Sequence, residues 1–98
     1  MNWTVNISTK LVKQIKKLPN PVQQAFLVLN DRLKDEGPEQ YGWPNYGKLK
    51  GMEGVFHCHL NKGKPRYVAV WKVEKDSINV MEVKYVGTHE KVNYKKFG

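Results

Sequence analysis

The hydrophobic period changes twice along this chain, from a short opening alternation to a helical stretch and back to strands in the second half. Trp3-Thr4-Val5-Asn6-Ile7 alternates apolar and polar side chains and predicts a short opening strand. Ser8 or Thr9 can then cap a helix reaching Leu18, with Leu11, Ile15 and Leu18 as its apolar stripe. Pro19 stops that helix. Asn20-Pro21-Val22-Gln23 predicts a second start, with Asn20 as N-cap, Pro21 at the first position and Gln23 at the capping-box position. The stripe Val22, Phe26, Leu29, Leu33 follows, and Gly37-Pro38 ends it. Two helices with so short a joint predict an αα-hairpin.

Residues 38–47 are loop by composition, though rich in aromatic side chains, and from Lys48 onward the helical period is gone. Gly54 to Leu60 predicts a strand and Asn61 to Pro65 a turn. Tyr67 to Val73 is apolar on both faces, which marks a central strand. Glu74 to Ser77 turns the chain, Ile78 to Val86 predicts a further strand, and a short helix can follow His89. The order is β-α-α-β-β-β. Short turns between successive strands predict an antiparallel meander backed by the helix pair, which is an α+β, two-layer architecture. Ninety-eight residues make one domain over 1–98, with no room for a second core.

Charge adds a partner class to this picture. Seventeen Lys and Arg against nine Asp and Glu give a net charge of +8. Such a balance favours polyanions through phosphate neutralisation, and an acidic protein partner is also compatible. Lysines that merely keep a small protein soluble would produce the same number. Residues 1–49 carry seven basic and four acidic side chains, and residues 50–98 carry ten and five. The field is thus heavier in the second half. No stretch approaches the ~20 apolar residues of a membrane span, and the first residues lack the pattern of a signal peptide. A cytoplasmic protein without a membrane partner is expected, with Cys58 as a buried, reduced thiol.

The candidate chemistry sits in the strands. In His57-Cys58-His59 the period of two puts both imidazoles on one face, and Phe56, Cys58 and Leu60 on the other. The pattern marks the histidine face as the solvent-accessible one. Histidine exchanges protons near neutral pH, so the pair suits proton transfer or phosphate contact. Two surface histidines on a sheet are the plainer explanation. A metal site is not expected, because Cys58 points away and no further ligand set is apparent. No cofactor is expected. His89 follows an apolar strand, in Gly87-Thr88-His89-Glu90, where a loop can present it to a ligand. Tyr94 can hydrogen-bond a phosphate or stack on a base, or simply pack at the end of the fold. Lys48 and Lys50 flank Leu49 as a phosphate rail or as a solvated edge strand, and Arg66 and Lys84 share that ambiguity.

Taken together, these segments resemble the RelE/ParE superfamily of small bacterial toxins. The resemblance rests on the opening strand, the Leu18-Pro19 break between two helices, and Gly47-Lys48-Leu49-Lys50-Gly51. It also rests on the strand with His57 and His59 and on Val86-Gly87-Thr88-His89-Glu90 with Tyr94. It implies a RelE-like fold and a metal-independent endoribonuclease, an mRNA interferase that acts on the ribosome and is restrained by a cognate antitoxin. By that resemblance, His57 and His59 stand where RelE has lysines, His89 where it has an arginine, and Tyr94 matches its tyrosine. Those four would be catalytic, and Lys48, Lys50, Arg66 and Lys84 would bind RNA phosphates. A further arginine of RelE has no counterpart: Val68 occupies its place, with Arg66 nearby. The histidines set the chain apart from the ParE-like branch, which acts on DNA gyrase. Two alternatives stay open: a non-catalytic RNA- or ribosome-binding module, and a ParE-like inhibitor of DNA gyrase.

Overall fold

A computed structural model of the chain describes residues 2–97. Strand β1 (Thr4–Ile7) leads into helix α1 (Thr9–Ile15) and helix α2 (Asn20–Glu36). Strands β2 (Gly47–Lys48), β3 (Val55–His59), β4 (Tyr67–Val73) and β5 (Val80–Thr88) follow, and a 3-10 helix spans Tyr94–Phe97. The strands form one sheet in the order β1-β5-β4-β3-β2.

The helices begin and end for local reasons. Ser8 caps α1, its hydroxyl accepting from the backbone N–H of Leu11 at 3.1 Å. The cap of α2 is Pro19, not the expected Asn20. The Pro19 carbonyl starts the hydrogen-bond ladder, accepting from the N–H groups of Val22 and Gln23 at 3.0 Å each. Asn20 is thereby drawn into the first turn. Gln23 makes no capping box; its amide donates to the carbonyls of Leu18 at 2.7 Å and Lys16 at 3.1 Å. It thus satisfies the orphan carbonyls at the end of the preceding helix. Gly37 ends α2 with φ +94°, and a Cβ there would stand 2.8 Å from the Trp3 indole nitrogen. Conformation and space both call for glycine.

The sheet departs from the expected antiparallel meander at one edge. Strands β2 to β5 are antiparallel, but β1 adds beside β5 in parallel, Val5 opposite Met81 and Ile7 opposite Val83. The sheet is therefore mixed. The helices carry the chain back across the layer, so β1 and β5 run the same way. β5 begins at Val80, two residues later than its pattern predicts; Ile78 lies in the preceding turn, 91% exposed.

One face of the sheet carries the main core. Phe56, Cys58 and Leu60 of the β3 segment, Ala69 and Trp71 of β4, and Met81, Val83 and Val86 of β5 pack on Leu11, Ile15, Val22, Phe26, Leu29 and Leu33 of the helices. β4 lies in the middle of the sheet, and Val68, Ala69, Val70 and Trp71 are all fully buried. Burial of both faces explains its unbroken apolar run. Trp71 brings its polar edge inside and donates to the Pro38 carbonyl at 3.0 Å.

Candidate active site

The second face of the sheet holds the histidines, and the register of β3, β4 and β5 builds the group. His57 lies opposite Val70, and Val70 opposite Tyr85. His59 lies opposite Val68, and Val68 opposite Gly87. Paired residues share a face, so these two rows run side by side across three strands. Val68 and Val70 form a fully buried floor, and the imidazoles stand at one side of it.

Arg66 and His89 come together at the open end of the β4–β5 pair. Tyr67 pairs with Thr88, and the His89 N–H donates to the Arg66 carbonyl at 2.7 Å. One step beyond the ladder, both side chains return to the histidine face. Asn61 fixes the approach: its side-chain oxygen accepts from the Tyr67 N–H at 2.7 Å, and its amide donates to the Pro65 carbonyl at 3.1 Å. The result places His59 and His89 edge to face, 5.7 Å between ring centroids, and Arg66 Nη1 3.3 Å from His59 Nδ1.

The 3-10 helix folds back over the same face. It sets the Tyr94 ring 5.6 Å from His57 and Phe97 6.3 Å from Tyr85. The expected solvent-accessible face is therefore partly roofed, and both imidazoles of β3 are half-buried. His57 Nδ1 is buried and has no hydrogen-bond partner among the described residues. On the other flank of the ring, a Cβ at Gly47 would stand 3.4 Å from His57 Nε2. The glycine leaves that nitrogen room.

Burial first, then the neighbouring His59 and His89, hold the His57 pKa below the ordinary imidazole value of 6.5. His59 is lowered too, by burial, then by the Arg66 charge, then by His89. Both rings thus favour the neutral, basic form near pH 7. The Tyr94 phenol is pushed up, chiefly by burial and then by Tyr85 and Cys58, which keeps its proton available for donation. The tautomer of His59 follows from its neighbour. A guanidinium has donors only, so His59 Nδ1 accepts from Arg66, and the neutral ring carries its proton on Nε2.

The structure thus brings together His57, His59, His89, Tyr94 and Arg66. It does not bring the three lysines. Lys48 lies opposite Phe56, which turns it to the helix side of the sheet, and it pairs with Glu39 at 3.7 Å. Lys50 is exposed in the turn after β2. Lys84 is the extra residue of a β-bulge between the pairs Trp71–Val83 and Val70–Tyr85, and it binds Glu82 at 2.9 Å. The bulge also delivers a residue that sequence reading passed over. Tyr85 joins the histidine face, and its hydroxyl donates to the Thr88 carbonyl at 2.8 Å. The signal for it is the break in alternation at Met81, Val83, Val86, three buried positions that no unbroken period of two can align. No group of three or more His, Cys, Asp or Glu side chains among the described residues is arranged to hold a metal ion. No helix among them is long and apolar enough to cross a membrane.

No family model matches the chain, and no curated protein matches it in sequence. Solved structures do match. A doubly substituted form of the Escherichia coli toxin RelE in the free state superposes with a TM-score of 0.72 at 18% identity, over 99% of this chain and 94% of that one. RelE of a RelE–RelB complex from Pyrococcus horikoshii gives 0.70 at 20% identity, over 94% and 100%. A YoeB dimer from Staphylococcus aureus gives 0.67 at 15% identity, over 91% and 99%. At these identities the likeness is one of architecture, and the chain has the fold of the RelE toxins.

Proposed function

We infer that this chain is the toxin of a toxin–antitoxin pair and cleaves RNA through its imidazoles. The observation that carries this reading is the convergence of His57, His59 and His89 with Arg66 and Tyr94 on one sheet face. Three segments distant in sequence supply them. The RelE fold supports the reading, as does the resemblance of these positions to the RelE site.

RNA cleavage needs a base for the 2′-OH, an acid for the leaving 5′-oxygen and cations around the phosphorus. His57 is the general base, since its low pKa keeps it unprotonated near pH 7. His59, with Nδ1 engaged by Arg66, presents Nε2–H to a phosphate oxygen. His89, exposed at the mouth of the group, is the general acid, and Tyr94 donates to the phosphate. The 2′-oxygen attacks phosphorus and the P–O5′ bond breaks. The products are a 2′,3′-cyclic phosphate and a 5′-hydroxyl. Arg66 supplies a fixed cation where Val68 leaves none.

The natural substrate in this reading is messenger RNA on the ribosome, in the cytoplasm, and a cognate antitoxin holds the enzyme inactive. The test is cleavage of translated messages by the purified chain and by His57→Ala, His59→Ala, His89→Ala and Tyr94→Phe. Loss of a general acid or base lowers the rate roughly 10²–10⁴-fold. Full activity in all four variants overturns the site. Undamaged messages together with DNA damage signalling would favour gyrase as the target instead.

A further inference from the structure

A cleft lies between helix α1, strand β5 and the C-terminal segment. It has a volume of about 320 Å³, and its walls are Lys10 and Gln14 of α1, Lys84 and Tyr85 of β5, and Lys91, Lys96 and Phe97 of the C-terminal segment, among others. Four of the lining residues are lysines and none is acidic. Lys84 is neutralised by Glu82, whereas Lys10, Lys91 and Lys96 are exposed and take part in none of the ion pairs found among the described residues. Like charges converge here from three parts of the chain, which disfavours the empty cleft and favours an anion in it.

Tyr85 connects the cleft to the histidine group. It lines the cleft, and it stands in the same row as His57, two strands away. Two strand spacings are roughly 10 Å. The 3-10 helix links them a second time, with Tyr94 on His57 and Phe97 on Tyr85. A chain of rings therefore leads from the reacting centre to the lysines. Rings beside ammonium groups are the combination that holds a single strand, by stacking and by phosphate neutralisation.

We propose that this cleft binds the backbone of the RNA strand a few nucleotides from the scissile phosphate, with Lys10, Lys91 and Lys96 as phosphate ligands. The proposal rests on RNA being the substrate, and it extends the binding surface to residues outside the catalytic group. Single-strand recognition of this kind releases counterions, so each lysine contributes about 0.7 to the slope of log affinity against log salt.

The experiment measures binding of a fluorescent 12-nucleotide RNA, 2′-O-methylated throughout to block cleavage, between 50 and 300 mM salt. The triple variant Lys10→Ala/Lys91→Ala/Lys96→Ala should lose about 2 from the salt slope and bind roughly 10–50-fold more weakly near 150 mM. A control variant, Lys17→Ala/Lys34→Ala/Lys75→Ala, removes the same charge elsewhere and should keep the slope. All six lysines are exposed, and equal thermal midpoints verify folding. Equal slopes in the two triple variants overturn the proposal, as does a wild-type chain that binds an acidic protein through these lysines but not the RNA. The two readings fail separately. A chain that binds with the lysine-dependent slope but leaves messages intact keeps the cleft and loses the nuclease. A chain that cleaves, with a slope indifferent to these lysines, keeps the nuclease and loses the cleft.

Discussion

Arg66 Nη1 stands 3.3 Å from Nδ1 of His59, although seven positions separate the two residues and no sequence motif joins them. The contact supplies the positive charge that Val68 does not, and it fixes which nitrogen of His59 carries the proton. Arg66→Ala removes a charge that holds the His59 pKa down, so that pKa should rise in an NMR titration of the imidazoles. Cleavage should fall about 10-fold or more through the lost transition-state cation. Arg66→Lys should recover part of the rate, since a lysine keeps the charge but not the planar fork. An unmoved His59 titration would remove Arg66 from the site.

The pH dependence of stability has a definite sign. His57 and His59 have folded pKa values below 6.5, so below that pH the unfolded chain binds protons that the folded chain resists. Stability is therefore flat above about pH 7 and declines as pH falls through 6.5 toward the folded values. Urea midpoints at pH 7.5 and 5.5 measure it. His57→Gln should flatten part of the decline, and an unchanged decline would show that the acid sensitivity lies elsewhere.

Activity follows the same groups. A base with its pKa below 6.5 gives kcat/KM an acid limb that rises with pH and is complete before neutrality. Fixed cations in its place would give no such limb. A rising limb centred above 6.5 would exclude His57 as the base.

Gly87 is required by its neighbour. A Cβ at this position would stand 2.7 Å from the Tyr85 hydroxyl. Gly87→Ala should displace that ring, break its bond to the Thr88 carbonyl and destabilise the fold by about 1–3 kcal/mol. The displaced ring borders both the histidines and the lysine cleft, so RNA binding should weaken as well. Chemical denaturation and binding together check it.

Cys58 reports on opening of the core. Its side chain is fully buried, and burial pushes its pKa to about 12. The native thiol should be inert to alkylating reagents and should react only through opening of β3, at rates that urea accelerates. Rapid labelling under native conditions would show that the histidine strand breathes.

The sequence by itself determined the elements and the faces of the most regular strand. Alternation around Cys58 placed His57 and His59 opposite the core, because a strand's period admits no other arrangement once Phe56, Cys58 and Leu60 are buried. The helical stripes and the unbroken apolar run of β4 were equally legible, since burial imposes them residue by residue. Contacts between distant segments were decided only by the tertiary structure. The parallel docking of β1 on β5 depends on where the helix pair returns the chain. The bulge at Lys84 moves Tyr85 to the histidine face, and the pairing of Gly47 with His57 turns Lys48 away from it. Tyr94 reaches His57 because a short 3-10 helix folds back over the sheet, a docking that no local pattern encodes. The sequence supplied three imidazoles; the register of three strands and the return of the C-terminal segment made them one group.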